Sequence, residues 1–318
     1  MQPGNPIRIL IVTNMFPLPE DPSYGVFIAE QVQSLRAAGA LVDVLFINGR
    51  YNPLAYFTGV FRLWGQLLFH RPRYDVIHAH HAFAGIISRL QWALPLVVTI
   101  HEGDASRRGI KSAIAHIAAA LSTQPIAVNP AIASVLGRTR SAIIPCGVDT
   151  SLFRKLDRAQ ARKQLGWDLQ EKVVLFGSDP SRPEKRYALA QSVLAEVAQM
   201  GTKARLFPLL GVTREQVPII MNACDALLVT SGFESGPLVV KEALAVGLPV
   251  VSVPVGDVRE VCRDKAHCYV VEDRPNILAI ALLAAINVDP TERREQLSQW
   301  YDQHCLTDQL LTVYRKLA

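Results

Sequence analysis

Residues 231–252, Ser231-Gly-Phe-Glu-Ser-Gly-Pro-Leu-Val-Val-Lys-Glu-Ala-Leu-Ala-Val-Gly-Leu-Pro-Val-Val-Ser252, read as a loop, a helix, a turn and a strand. Pro237 suits the first helical position, because the N–H it lacks would have no intrahelical partner there. Gly247 closes the helix and Pro249 forbids its continuation, so the pattern predicts a helix over 237–246. The amino end of such a helix carries unpaired amides and the positive end of the peptide dipoles, which suits an anion. Glu234 lies in the preceding loop, and Glu242 lies about a turn and a half inside the helix. A carboxylate accepts two hydrogen bonds from vicinal hydroxyls, which is how ribose is commonly held. The spacing alone also fits a surface acid at 234 and an acid at 242 that pairs with Lys241 or solvent.

The same grammar extends outward. Ala226-Leu-Leu-Val-Thr230 reads as the strand before the loop, and residues 248–253 as the strand after the helix. Lys172-Val-Val-Leu-Phe-Gly177 is another strand, followed by a helix over 187–200. The first half repeats the alternation: strands at 7–13, 41–47, 76–79 and 95–100, a Pro-rich loop at 15–24, and a helix over 26–38 closed by Gly39. Strands that are apolar throughout belong to parallel sheets covered on both faces. Two such halves predict an α/β protein of two Rossmann-like domains, with 147–165 as a charged linker. In facing domains of this class the carboxyl ends of the strands, where ligands bind, border one cleft.

Half of the 318 residues are hydrophobic and 19% are charged, which supports a large core and argues against disorder. The five cysteines are scattered and form no C-x-x-C pair, which predicts reduced thiols in a cytoplasmic protein. Residues 1–6 are short and polar, and the apolar run at 7–12 is far below signal or membrane-span length. Charge is uneven: residues 1–155 hold 14 Lys/Arg against 8 Asp/Glu, and residues 156–318 hold 19 against 20. The positive excess sits in the first half and favours an acidic partner. Residues 54–73 are aromatic, apolar and basic; they fit either a peripheral helix at the inner face of a membrane or a core helix with basic ends.

Beyond physics, the segment carries a resemblance. Glu234 and Glu242 with Gly-Pro-Leu-Val-Val between them, and Ala-Leu-Ala-Val-Gly-Leu-Pro-Val-Val after, are similar to the signature of retaining glycosyltransferases of family 4, the glycosyl transferases group 1, which have the GT-B fold. Pro254-Val-Gly-Asp-Val-Arg-Glu-Val261 resembles a downstream segment of that family. Pro22-Ser-Tyr-Gly-Val-Phe27, Asp75-Val-Ile-His-Ala-His80, Val97-Val-Thr-Ile-His101 and Ile143-Ile-Pro-Cys-Gly-Val-Asp149 with Phe153 extend it over nearly the whole chain.

The resemblance implies roles. A first, acceptor-side domain would span 1–155 and be completed by a terminal helix at about 300–318; a nucleotide-sugar domain would span 156–299. Within Gly177-Ser-Asp-Pro-Ser-Arg-Pro-Glu-Lys-Arg186, Arg182 and Lys185 match the pair set against the donor diphosphate, though the Arg-x-x-Lys spacing is shorter than the common one. Cations there stabilise charge that grows on the leaving diphosphate. Glu234 would orient the donor sugar, Glu242 would hold the ribose, and Ser235, Gly236, Pro237 and Leu238 would form the donor cradle. Gly25 would let backbone approach a phosphate, although many relatives have two glycines there. His101 would contact the sugar near its anomeric centre.

The implied activity is retaining transfer of a hexose-type sugar from a UDP or GDP donor to a glycan, lipid-linked or small-molecule acceptor, in polysaccharide or glycolipid synthesis. The nucleotide-sugar is a substrate and no cofactor is implied. His78, His80, His81, His101 and Asp104 lack zinc-type spacing, with His78 and His80 on one strand face and His81 on the other, so no metal is expected. The positive first half favours anionic lipid or a phosphorylated acceptor, and no nucleic acid is expected. A non-catalytic nucleotide-sugar-binding protein and a GT-B epimerase or phosphorylase are the alternatives. A dinucleotide-dependent dehydrogenase is disfavoured by the absence of G-x-G-x-x-G after residues 7–13.

Overall fold

Strand β1 (Arg8–Thr13) explains the first unit: Ile9, Leu10, Ile11 and Val12 are all fully buried, so both sheet faces must be covered. The computed structural model describes residues 5–49, 52–69, 73–101, 109–137, 141–234 and 236–318. In the first unit, Met1–Gly147 with Gln303–Ala318, β1 pairs in parallel with β2 (Leu41–Phe46) and β3 (Val76–His80). With β4 (Leu96–Ile100), β5 (Gln124–Ala127) and β6 (Ala142–Ile143) they form a sheet of order β2-β1-β3-β4-β5-β6. Alternate side chains of β1 feed two cores. Ile9 and Ile11 pack with α1 (Val26–Ala37) and with the terminal helix α12 (Gln303–Leu317). Leu10 and Val12 pack with α2 (Leu54–Phe69), α3 (Ala82–Ser88) and α4 (Ile110–Leu121). A short α5 (Pro130–Val135) is capped by Asn129, whose side chain accepts from the Ile132 amide.

The second unit, Val148–Asp302, holds a parallel sheet of order β11-β10-β9-β7-β8. Its strands are β7 (Val173–Phe176), β8 (Arg205–Pro208), β9 (Ala226–Val229), β10 (Val250–Ser252) and β11 (Cys268–Val270). One face packs on α8 (Gln216–Ala223), α9 (Leu238–Val246) and the short α10 (Val258–Val261). The other packs on α7 (Tyr187–Gln199) and α11 (Pro275–Ile286).

Residues 147–165 are not the linker that their charge suggested. Arg158–Leu165 form helix α6, started by Asp157 accepting from the Gln160 amide and ended by Gly166 in the left-handed region. Phe153, expected in the first domain, is buried in the core of the second. Charge count misled because Arg162, on α6, is wholly buried against Asp225 and backbone carbonyls. The terminal helix joins the first unit: the Tyr314 hydroxyl lies 2.6 Å from Nδ1 of His78 on β3, and Thr99 Oγ1 lies 2.8 Å from Nε2 of the same ring.

Candidate functional site

In the second sheet the chain runs from β7 to β8 on one side and returns to β9 on the other. Such a reversal opens a crevice at the carboxyl ends of β7 and β9, where open α/β sheets bind ligands. The two loops leaving it are stitched together. Thr230 Oγ1 donates to the Lys185 carbonyl at 2.8 Å, and the Gly232 amide donates to the Glu184 carbonyl at 2.9 Å. Lys185 ends a 3-10 turn (Pro183–Lys185) and places Nζ on Glu234 Oε1, which also accepts from Ser231 Oγ at 2.7 Å. Both side chains keep about 15% exposure (14% and 15%), enough to meet a ligand. Gly177 allows the close approach: a Cβ there would lie 2.5 Å from Val239 Cγ2 in the first turn of α9.

Helix α9 starts one residue later than expected. Pro237 is the N-cap rather than the first helical residue, and its own side chain makes no cap to the amides behind it. The Leu238 end of the helix carries the first-turn amides and the positive end of the peptide dipoles, in the manner of an anion site. Gly236 lies against Asp257, whose Oδ2 would be 2.7 Å from a Cβ at that position. Asp257 is paired with the buried Lys241 at 2.9 Å, and the Lys241 ammonium lies 4.8 Å from the Tyr301 ring centroid. Burial, and then the charges of Asp257 and Glu260, push the Tyr301 hydroxyl up to about 12. Ser235 lies outside the described residues, as do Glu102, Gly103 and Asp104.

Glu242 is buried and meets Arg214 at 2.7 Å, while the Arg214 guanidinium stacks 4.4 Å from the Phe153 ring centroid. Neither Lys241 nor solvent is its partner. Arg182 stands apart: it is 55% exposed and pairs with Glu184 at 2.7 Å. Arg186 is the cation turned onto the loop instead. Its backbone is left-handed (φ 52°), Nε donates to the Thr230 carbonyl at 2.6 Å, and Nη1 meets Asp273. Sequence reasoning missed Arg186, Arg214 and Asp257. The quoted segments contained the first and the last, but nothing in their spacing showed what those side chains would touch.

The first sheet reverses between β1 and β3, and the expected residues of that unit follow its strands. Gly25 has φ +69° and would place a Cβ 2.6 Å from the Met15 carbonyl carbon, so the fold alone demands a glycine there. His101 is buried and stacks with Phe27, ring centroids 5.2 Å apart. It also stacks with His81 at 4.4 Å, and His80 Nδ1 lies 3.4 Å from its Nε2. His81 was expected on the opposite face. Its φ of 72° takes it off the strand, so alternation no longer decides where its ring lies. Burial pushes His78 down to about 3 and holds His80 well below the usual imidazole value, so both rings are neutral at pH 7. A small pocket of about 20 Å³ is bordered by Phe27, Gln31, His80, His101, Cys146 and Gln303. Among the described residues no three His, Cys, Asp or Glu side chains converge on a metal position.

Two sheets of this order, each with a ligand crevice at its strand reversal, define a GT-B glycosyltransferase fold. The chain belongs to family 4 of these proteins: Glycosyltransferase Family 4 matches residues 9–152, and Glycosyl transferases group 1 matches residues 170–300. It is 27% identical to the D-inositol 3-phosphate glycosyltransferase of Mycobacterium sp. (strain KMS) over 257 residues, 66% of this chain and 58% of that protein. The enzyme of the same name from Acidothermus cellulolyticus is 27% identical over 251 residues, 60% of this chain and 54% of that protein. The chain thus spans less than two thirds of the length of these relatives. Among solved structures, sucrose-phosphate synthase from Thermosynechococcus elongatus matches with a TM-score of 0.75 at 18% identity, covering 98% of this chain and 99% of that one. Anabaena HepE, solved with UDP and glucose, matches with a TM-score of 0.73 at 18% identity, covering 98% and 100%.

Proposed function

We propose that the protein transfers a hexose-type sugar, with retention, from a UDP or GDP donor bound at the β7–β9 crevice of the second unit. The observation that carries this is the Lys185–Glu234 pair in the loops before the amino end of α9. An ammonium has three N–H donors and Glu234 uses one, so Lys185 keeps others for the diphosphate. Together with the α9 amides it opposes the charge that grows as the glycosidic bond breaks. Glu234, steadied by Lys185 and Ser231, orients sugar hydroxyls and is not assigned as a nucleophile. Glu242 uses Oε1 on Arg214 and offers Oε2 to the ribose. Gly236, Pro237 and Leu238 complete the cradle. Arg182 is exposed enough to turn toward a diphosphate only by leaving Glu184.

The acceptor class in this proposal is a glycan, lipid-linked or small-molecule hydroxyl, in polysaccharide or glycolipid synthesis. Peripheral contact with an anionic membrane, at its cytoplasmic face, fits the first unit. Leu54, Phe57, Phe61, Trp64 and Leu68 form an exposed stripe along α2, at spacings of three and four residues. The adjoining α3 and α4 expose Phe83 and Ile110, and none of the three helices carries an acid. No helix among the described residues is long and apolar enough to cross a membrane.

A thermal-shift screen of UDP, GDP, ADP and their sugars tests the donor. A ligand at a hundred times its Kd adds about 2.7 kcal/mol of stability. No shift with any of them would sink the proposal, and a shift without turnover on added acceptors would favour a non-catalytic binding protein.

A further inference from the structure

Asp225 precedes β9 at the amino edge of the second sheet, and its carboxylate is saturated. Oδ2 accepts from the Val173 amide at 2.7 Å and from Arg162 Nη2 at 2.9 Å. Oδ1 accepts from Arg158 Nη2 at 2.8 Å and lies 3.5 Å from Arg293 Nη2. Three guanidinium groups therefore share one carboxylate, although Arg162 is 0% exposed, Arg293 5% and Asp225 1%. Such an excess of buried cation is costly unless an anion or dipole answers it.

Carbonyls answer part of it. Arg162 spends its remaining donors on Ala223, Asp168 and Glu171, and Arg293 Nη1 bonds the Cys224 carbonyl. These include the carbonyls at the end of α8, which would otherwise repel an anion. Arg158 Nε, Arg293 Nε and Arg293 Nη2 are still left, shielded from water, without a hydrogen-bond acceptor. Burial lowers the affinity of Arg162 and Arg293 for their protons, with Asp225 opposing it.

Beside this cluster opens a pocket of about 200 Å³, bordered by Lys155, Asp157, Arg158, Asn222, Thr291 and Arg293. Asp157 turns its carboxylate to the Gln160 amide of α6, and Lys155 Nζ rests 2.7 Å from the Arg293 carbonyl. We propose that this pocket binds a phosphate-type oxyanion, either inorganic phosphate or the phosphoryl group of a small metabolite. A small rotation of the Arg158 and Arg293 side chains, which border the pocket, would give the oxyanion's several oxygens the guanidinium donors that Asp225 does not reach. The pocket is separate from the proposed donor crevice, because Val173 and Asp225 stand at the amino ends of β7 and β9 whereas Lys185 and Glu234 follow their carboxyl ends. Four-residue strands set those edges about 13 Å apart.

The test is calorimetric titration of the full chain with potassium phosphate and with a hexose phosphate, against potassium chloride of equal ionic strength. Phosphate is expected to bind where chloride does not. Lys155→Met and Arg293→Gln should each weaken it about tenfold, the worth of one charge-assisted hydrogen bond, and Lys185→Met should leave it unchanged. Tighter binding of the hexose phosphate identifies a metabolite, and equal binding identifies the free ion. Arg293 also supports the Cys224 carbonyl, so if its variant fails to fold, the exposed Lys155 carries the test. Binding no stronger than chloride's overturns the proposal, as does phosphate binding lost with Lys185→Met and kept with Lys155→Met.

Discussion

Arg214 holds Glu242 at 2.7 Å, Nη2 to Oε1, reaching from the loop after β8 to the second turn of α9. A buried acid with a cationic partner is held in one orientation, and it is also part of the fold.

Glu242→Ala should therefore have two effects. Without ligand it should lower stability by about 2 kcal/mol, because a half-buried Arg214 loses the carboxylate that faces it. It should also abolish the thermal shift produced by the preferred nucleotide. A double variant with Arg214→Ala should recover part of the stability but none of the shift. An unchanged nucleotide shift in the single variant would refute the ribose role.

Lys185→Ala releases Glu234 and, on the proposed donor assignment, removes a donor to the diphosphate. Nucleoside diphosphate binding should fall about 10- to 100-fold, the worth of 1.5–3 kcal/mol, with little change for the nucleoside alone. Arg182→Ala should change either affinity far less, since that side chain is exposed and engaged with Glu184. Titration calorimetry separates the cases, and equal losses for both ligands would count against the role of Lys185.

Acid should loosen the first unit through His78. Its folded value of about 3 lies below the ordinary 6.5, so between these pH values the unfolded chain binds more protons than the folded one. Stability is therefore retained above pH 6.5 and falls as the pH drops, by up to about 1.4 kcal/mol per pH unit for this ring. His78→Gln should be less stable at pH 7 and show a shallower decline from pH 6.5 to pH 4. Denaturant midpoints at several pH values measure this, and parallel declines would rule out His78 as the cause.

The exposed stripe of α2 predicts binding to vesicles containing phosphatidylglycerol, weakened by salt, and little binding to pure phosphatidylcholine. Phe57→Glu with Phe61→Glu should abolish it without changing nucleotide affinity. If neither vesicle binds the protein, the membrane contact fails while the donor assignment stands. If light scattering shows a dimer that this variant dissociates, a second copy of the chain covers the stripe.

The sequence by itself settled the two parallel sheets, because unbroken apolar strands such as residues 9–12 admit no solvent face. It also marked the helix ended by Gly247 and, through family likeness, the acids at 234 and 242. Local pattern reaches no further than neighbours along the chain. Only the tertiary structure decided that Lys185 meets Glu234, that Arg214 rather than Lys241 holds Glu242, and that His81 turns to join His101. It also turned a charged stretch expected to be a linker into α6, packed around Asp225. Those partners lie on separate strands and loops. Their distances follow from how the sheets order their strands, and that order is set by burial summed over the whole unit rather than by any one segment.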